Sequence, residues 1–249
     1  MVVSFGSSTV PVTADGSVAA IYVAGETFRQ PKGEIILSQI TIVKEGYPFI
    51  GGALFVALLT GLLISWHWAL LPFLFALFFT FFFRSPRRNV PRDPDVLVSP
   101  ADGTVMRVEE VEEELFLGAP CYKVTIFLSV FDVHVNRSPM AGDIKFRQYT
   151  CGGFRPAFQK SVGYENERHT IGLENERISI VVTQIAGLLA RRIVSWKKLG
   201  DRLGKGELYG MIKFGSCTEV FMPKNVAVCV KKGDRVRGGE TVIGRIVDA

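Results

Sequence analysis

Residues 50–83 read IGGALFVALLTGLLISWHWALLPFLFALFFTFFF, and the layout of this run decides between a membrane-attached protein and an ordinary soluble one. From Gly46 to Phe83 there is no Asp, Glu, Lys or Arg, and nine of the chain's 19 Phe fall there. As one straight helix the run would be about 51 Å long, against a hydrocarbon core about 30 Å thick. The middle supplies a break, Ser65-Trp66-His67-Trp68 with Pro72 close behind. Trp favours the bilayer interface, and Pro is best tolerated near the first turn of a helix. The spacing therefore predicts two helices, 50–64 and 69–83. Each would be about 22 Å long, so the hairpin tilts, thins the bilayer or enters without crossing. A buried core hairpin is the alternative, but nine Phe without one charge exceed what a small core needs. A cleaved signal peptide does not fit, because the run is too long and too far from Met1.

Outward from the hairpin the chain becomes ordinary. Residues 84–95 form a basic linker with three Pro and with Arg84, Arg87, Arg88 and Arg92. By the positive-inside rule this cluster, and everything after it, lies on the cytoplasmic side of the cell's inner membrane. The same arginines could attract anionic headgroups. Residues 1–44 carry strand-like patches, Val18–Val23 and Glu34–Val43, and no motif. The division is thus an extension (1–44), a membrane hairpin (45–83), a linker (84–95) and a polar domain (96–249). Over all 249 residues the composition is 48% hydrophobic and 21% charged, which excludes a disordered chain. The net charge of +5 suits an anionic membrane surface. Nucleic acid is not an expected partner, since no arginine stripe interleaves with aromatics. Cys121, Cys151, Cys217 and Cys229 form no C-x-x-C pair, which points to reduced thiols and no metal site.

After the linker, short β-rich runs follow one another: 96–99, 104–108, 121–128, 143–149, 170–173, 177–184, 191–195, 208–214, 218–222, 226–231 and 241–247. Turn signals (ADG, AGD, KKGD, RGG) separate several of them. This is the spacing of a mainly β protein, a sandwich or barrel-like domain with few short helices. Residues 153–162 are the one candidate short helix. The run VAVCVKKGDRVRGGETVIGRIV reads as two strands about a glycine-rich turn, a pattern also found in biotinyl and lipoyl carrier domains.

Three places can carry chemistry. In FLSVFDVHVNRSP (127–139), strand alternation puts Phe131, Val133 and Val135 on one face and Asp132, His134 and Asn136 on the other. His134 then sits among polar neighbours, where an imidazole can exchange protons; an exposed surface histidine is the alternative. In SPADGTV (99–105), Pro and Gly build a turn that presents Asp102. In GMIKFGSCTEVFMP (210–223), Gly215-Ser216 interrupts two strand-like runs. This is either a tight hairpin or a serine poised to attack its own preceding carbonyl.

In this order, behind an apolar hairpin, these segments resemble the short-form bacterial and archaeal phosphatidylserine decarboxylase proenzymes. The matching text is EGYPFI, FFFRSPRRNVP, SPADGTV, FLSVFDVHVNRSPMAG, QIAGLLARRIV, GMIKFGS and VFMP, covering the chain from about Glu45 onward. One departure is Cys217, where the family commonly has a basic residue; it is expected to alter packing or rate rather than the reaction. The resemblance implies self-cleavage between Gly215 and Ser216 into chains 1–215 and 216–249, which stay together and could dimerise further. Ser216 would become a pyruvoyl group, the only cofactor and one made without metal. His134 would be the base acting on Ser216 and later a proton donor, with Asp102 orienting or tuning the imidazole. The implied reaction is decarboxylation of phosphatidylserine in the membrane to phosphatidylethanolamine. A membrane-tethered biotinyl/lipoyl-like carrier is the alternative, although no lysine occupies the turn that such carriers modify. A pyruvoyl decarboxylase of a soluble amino acid is another, and the hairpin would then be gratuitous. His169, Lys160 and the arginines around 191 are unassigned, with surface or structural roles as the default.

Overall fold

A computed structural model of the protein describes residues 40–153, 166–187, 192–213 and 216–247. In chain order the N-terminal elements are β1 (Ile40–Ile42), α1 (Tyr47–Leu63), α2 (Trp66–Phe82) and β2 (Arg84–Pro86). The next strands are β3 (Val96–Val98), β4 (Gly103–Glu113), β5 (Ala119–Leu128), β6 (Val135–Arg137) and β7 (Gly142–Thr150). Then come β8 (Arg168–Glu174), β9 (Ser179–Ala186), β10 (Arg192–Ser195), β11 (Arg202–Leu203) and β12 (Leu208–Lys213). The last are β13 (Ser216–Pro223), β14 (Val226–Val228), β15 (Arg235–Val236) and β16 (Val242–Ile246). The expected mainly β domain behind two helices is what forms.

Eight strands make one antiparallel sheet in the order β11-β7-β8-β9-β13-β5-β4-β15. Register shifts at Val105/Arg107 and Ile144/Phe146 mark bulges; bulges bend a sheet and increase its twist, consistent with its curl into a half-barrel. Two three-stranded sheets, β10-β12-β6 and β14-β16-β3, complete the domain. The main core joins Val124, Ile126, Val182 and Val220 of the large sheet to Leu97, Tyr209, Val226 and Ile243 of the small ones. The C-terminal run does pair, β14 with β16, while β15 between them leaves to join β4. The candidate helix at 153–162 and Lys160 lie almost wholly or entirely outside the described residues.

The helices differ from expectation in their limits. They are 17 residues each, about 25 Å long, and the break is confined to Ile64 and Ser65. Ser65 is extended, and its hydroxyl accepts a hydrogen bond from the His67 N–H (3.4 Å). This cap starts α2 three residues earlier than predicted and leaves Pro72 inside the helix. Lys44–Leu63 is long and apolar enough to cross a membrane; α2 is shorter and equally apolar. Their shared base is not a tether. Phe82 and Phe83 are fully buried and pack with Val133, Val135 and Met211. Ile42, Val43, Val194, Trp196 and Leu208 close the same cluster. The basic segment begins as a strand too, since β2 pairs with β1.

Candidate functional site

Strand alternation sets the site. Along β13, Ser216, Thr218, Val220 and Met222 share one face, and Val220 and Met222 belong to the main core. Ser216 and Thr218 continue that inward face toward the other end, and both are fully buried. Ser216 lies between Leu128 of β5 and Ala186 of β9. Its Oγ has no hydrogen-bond partner. A buried hydroxyl without a partner carries a free-energy cost, and such a group is available to react. Gly215, the residue before it, lies outside the described residues. Cys217 points the other way, packed with Ile185 and Phe127, and burial pushes its thiol pKa up. It acts there as a small apolar side chain.

His134 is fully buried, not a surface histidine. The segment before β6 is irregular rather than strand, so both Val133 and His134 turn inward. The ring Nδ1 lies 2.9 Å from the Asp132 carbonyl oxygen. A carbonyl only accepts, so Nδ1 carries the proton and the neutral ring has its lone pair on Nε2. Burial lowers the imidazole pKa to about 4, against a smaller opposing effect of that carbonyl. At neutral pH the ring is therefore an unprotonated base. Phe82 packs against it with the rings tilted by 36° and their centroids 4.3 Å apart, so the foot of α2 is one wall of the site.

Asp102 takes its hydrogen bonds from Arg88 (2.7 and 2.9 Å) and from the Gly238 N–H (2.8 Å), not from His134. Burial raises its carboxyl pKa even against Arg88. Its loop nonetheless reaches the site. The Pro100 carbonyl accepts from the Arg137 N–H (2.9 Å) and the Asn136 amide (3.4 Å), fixing β6 just beyond His134. Asp132 does the same from the other side. Its carboxylate holds the Ser129 N–H (2.8 Å) and Arg235 (2.6 Å) while its carbonyl orients the ring.

Sequence reading missed the polar layer that ties these strands together. The Asn136 amide donates to the Thr218 hydroxyl (3.2 Å) and accepts from Gln184 (2.8 Å). That places β6 across the beginning of β13, His134 two residues from one partner and Ser216 two residues from the other. Gln184 needs room: a Cβ on Gly210 would lie 3.1 Å from its Nε2 and 2.5 Å from the Val194 carbonyl oxygen. The sequence signal available was Gln184, which with Thr183 interrupts the apolar run IVVTQIA. Among the described residues no cluster of His, Cys, Asp or Glu could hold a metal ion.

Residues 75–244 match the family model for phosphatidylserine decarboxylase. The chain belongs to the phosphatidylserine decarboxylase family. Relatives named phosphatidylserine decarboxylase proenzyme span most of it. Those of Carboxydothermus hydrogenoformans and Symbiobacterium thermophilum are each 50% identical over 208 residues. These alignments cover 83% and 82% of this chain and 97% and 95% of the relatives. That of Geotalea uraniireducens is 42% identical over 207 residues, covering 82% of this chain and 95% of the relative. The matched region of the phosphatidylserine decarboxylase family takes in α2 from Phe75 onward, so Phe82 and the foot of the hairpin fall within it.

Proposed function

We propose that this protein decarboxylates phosphatidylserine to phosphatidylethanolamine after cutting itself between Gly215 and Ser216. The observation that carries the reading is the buried, unpartnered Ser216 hydroxyl at the start of β13. His134, neutral and with Nε2 unprotonated, immediately precedes β6, the strand laid across the start of β13. Nε2 takes the hydroxyl proton as Oγ attacks the Gly215 carbonyl, and the Gly215–Ser216 amide becomes an ester. Removal of the Ser216 α-proton breaks the Cβ–Oγ bond, releasing Gly215 as a carboxylate and leaving dehydroalanine. Water then replaces the nitrogen, which departs as ammonia, and residue 216 ends as a pyruvoyl group. Asp102 acts as a positioning residue, holding the loop whose Pro100 carbonyl fixes β6. This is the logic of a hydroxyl activated by a base with a third orienting group.

The orphaned hydroxyl fits a residue that is converted rather than one that stays a serine. The pyruvoyl carbonyl supplies an electron sink for loss of CO₂ from the substrate's amino acid. Around it the protein excludes water with Leu128, Ala186 and Phe82, all close to the Ser216–His134 region. His134 can return a proton to the substrate's α-carbon, because a group that accepts a proton from Ser216 is placed to donate one there. The exposed apolar hairpin supports a membrane-embedded substrate, and the arginines after it support a cytoplasmic active site. The carrier reading has no observation in its favour, since β14, β15 and β16 are built into the core sheets.

The test is intact mass and gel analysis of purified protein. Wild type should run as chains 1–215 and 216–249, the smaller blocked at its N-terminus, and Ser216→Ala should run only as the uncleaved chain. An uncleaved wild-type chain that turns over phosphatidylserine would sink the reading.

A further inference from the structure

A cavity of about 430 Å³ opens between β7, β8, β10 and β12, lined by Arg147, Tyr149, His169, Arg192, Ser195 and Lys213, with Ile193 and Val194 behind them. Three of the lining side chains are cationic. Among the described residues Arg192 and Lys213 form no ion pair. They are close enough that Arg192 helps burial to lower the Lys213 pKa, while Glu45 opposes this. Glu45 itself is engaged by the Trp196 indole N–H (2.7 Å). The other carboxylate nearby, Glu167, lies beside Tyr149 at the rim. Three cations thus line the cavity, with the carboxylates of Glu45 and Glu167 at its edge.

Its floor is wired to the strand of Ser216. The Arg147 Nε–H donates to His169 Nε2 (3.0 Å). His169 must then carry its proton on Nδ1, which donates to Gln184 Oε1 (3.2 Å). Gln184 donates to Asn136, and Asn136 to Thr218, two residues past Ser216. Every donor in this chain points the same way, from the cavity to β13. His169 and Thr218 are separated by one intervening strand, roughly 10 Å at the usual spacing. The rim lies at the foot of the hairpin. Lys213 Nζ is 5.2 Å from the centroid of Phe49 on α1, and Val194 belongs to the cluster around Phe82.

We propose that this cavity binds a phosphodiester, that of the substrate lipid's headgroup, with Arg192 and Lys213 as ligands and the terminal nitrogens of Arg147 as a third donor pair. Arg147 spends only Nε on His169, so its fork stays available for an anion. The proposal rests on the reading of Ser216 given above and adds where the rest of the substrate lies. A phosphate here is held between the bilayer surface and the reacting residue, and the chain of bonds from Arg147 keeps β13 in register with it.

The test compares wild type, Arg192→Gln, the Arg192→Gln/Lys213→Gln double variant, and Arg202→Gln as an exposed cation on β11, which pairs with the start of β7. Three readouts are needed: processing on gels, KM and kcat on vesicles of phosphatidylserine in phosphatidylcholine, and calorimetric titration with glycerophosphoethanolamine or inorganic phosphate. Processing should be complete in all four. The double variant should show KM raised about tenfold or more with kcat largely kept, and a matching loss of glycerophosphoethanolamine affinity. Arg192→Gln should show a smaller change of the same kind, and Arg202→Gln none. Unchanged KM and affinity in processed Arg192→Gln and double variants would overturn the proposal. If only Arg192→Gln is processed, its own KM and affinity decide. Inorganic phosphate binding as tightly as the ester would overturn the assignment to a lipid headgroup in favour of free phosphate. Failure of wild type to cleave would overturn the reading of Ser216 while leaving the titrations interpretable.

Discussion

The His134 imidazole owes its usefulness to burial. A ring in water would be partly protonated near neutrality, whereas here desolvation brings its pKa down to about 4. His169 is lowered to about 4 as well, by burial first and Arg147 second. Both are neutral in the fold and accept a proton near pH 6.5 once unfolded, so below that value the unfolded state binds more protons. Stability is therefore complete above about pH 6.5 and is lost as pH falls toward 4, by on the order of 3 kcal/mol for each ring. Denaturant melts at stepped pH should show this slope, and His134→Gln should remove about half of it. The cleavage rate should be flat from about pH 8 to 6 and fall only in more acidic buffer. A break near 6.5 instead would mean that the base is an ordinary solvated histidine.

At the scale of elements, the foot of α2 is part of the site. Phe82 is fully buried, packs with Val133, Val135 and Met211, and lies against the His134 ring. Phe82→Ala should cost about 3–5 kcal/mol and slow cleavage, read as a lower Tm and a longer processing half-time in detergent. Phe75→Ala, half exposed on the same helix, should change neither; equal effects would show that helix content matters and the contact with His134 does not. This contact was not legible in the sequence. Residues 50–83 announce two apolar helices, and period-two runs announce most strands, because both signals are local. That Phe82 and Phe83 turn away from the apolar surface to cover β6 and β12 depends on residues far along the chain. The same holds for Asp102, whose turn is plain in SPADGTV but whose partner, Arg88, lies in what reads as a linker. Gln184, Asn136 and Thr218 each look like a polar interruption of a strand, and only the sheet order makes them one layer. Ser216 was legible as a candidate, since Gly-Ser between two strand runs is itself a local pattern.

For the whole molecule, we propose two separable jobs for the hairpin, anchoring and folding. Leu62, Leu63, Trp66 and Trp68 at its turn are each more than two-thirds exposed, too much apolar surface to leave in water. At its other end, Phe82 and Phe83 complete a core with Val133, Val135 of β6 and Met211 of β12, closed by Ile42, Val43, Val194, Trp196 and Leu208. A chain starting at Arg84 would lose both rings, each contributing about 1.5–3 kcal/mol by transfer alone, against a typical total of about 5–15 kcal/mol. It should misfold or fail to cleave. Replacing Leu62, Leu63, Trp66 and Trp68 with Ser should leave cleavage intact and abolish co-flotation with vesicles. The two variants separate anchoring from folding: a chain from Arg84 onward that cleaves at the wild-type rate would reduce the hairpin to a tether. The Ser variant matters in the opposite direction. If it still floats with vesicles, release by high salt would assign attachment to the basic segment after the hairpin, because surface charge attraction is screened within a Debye length. Retention would assign it to the exposed Phe55, Leu58 and Leu71 of the helices.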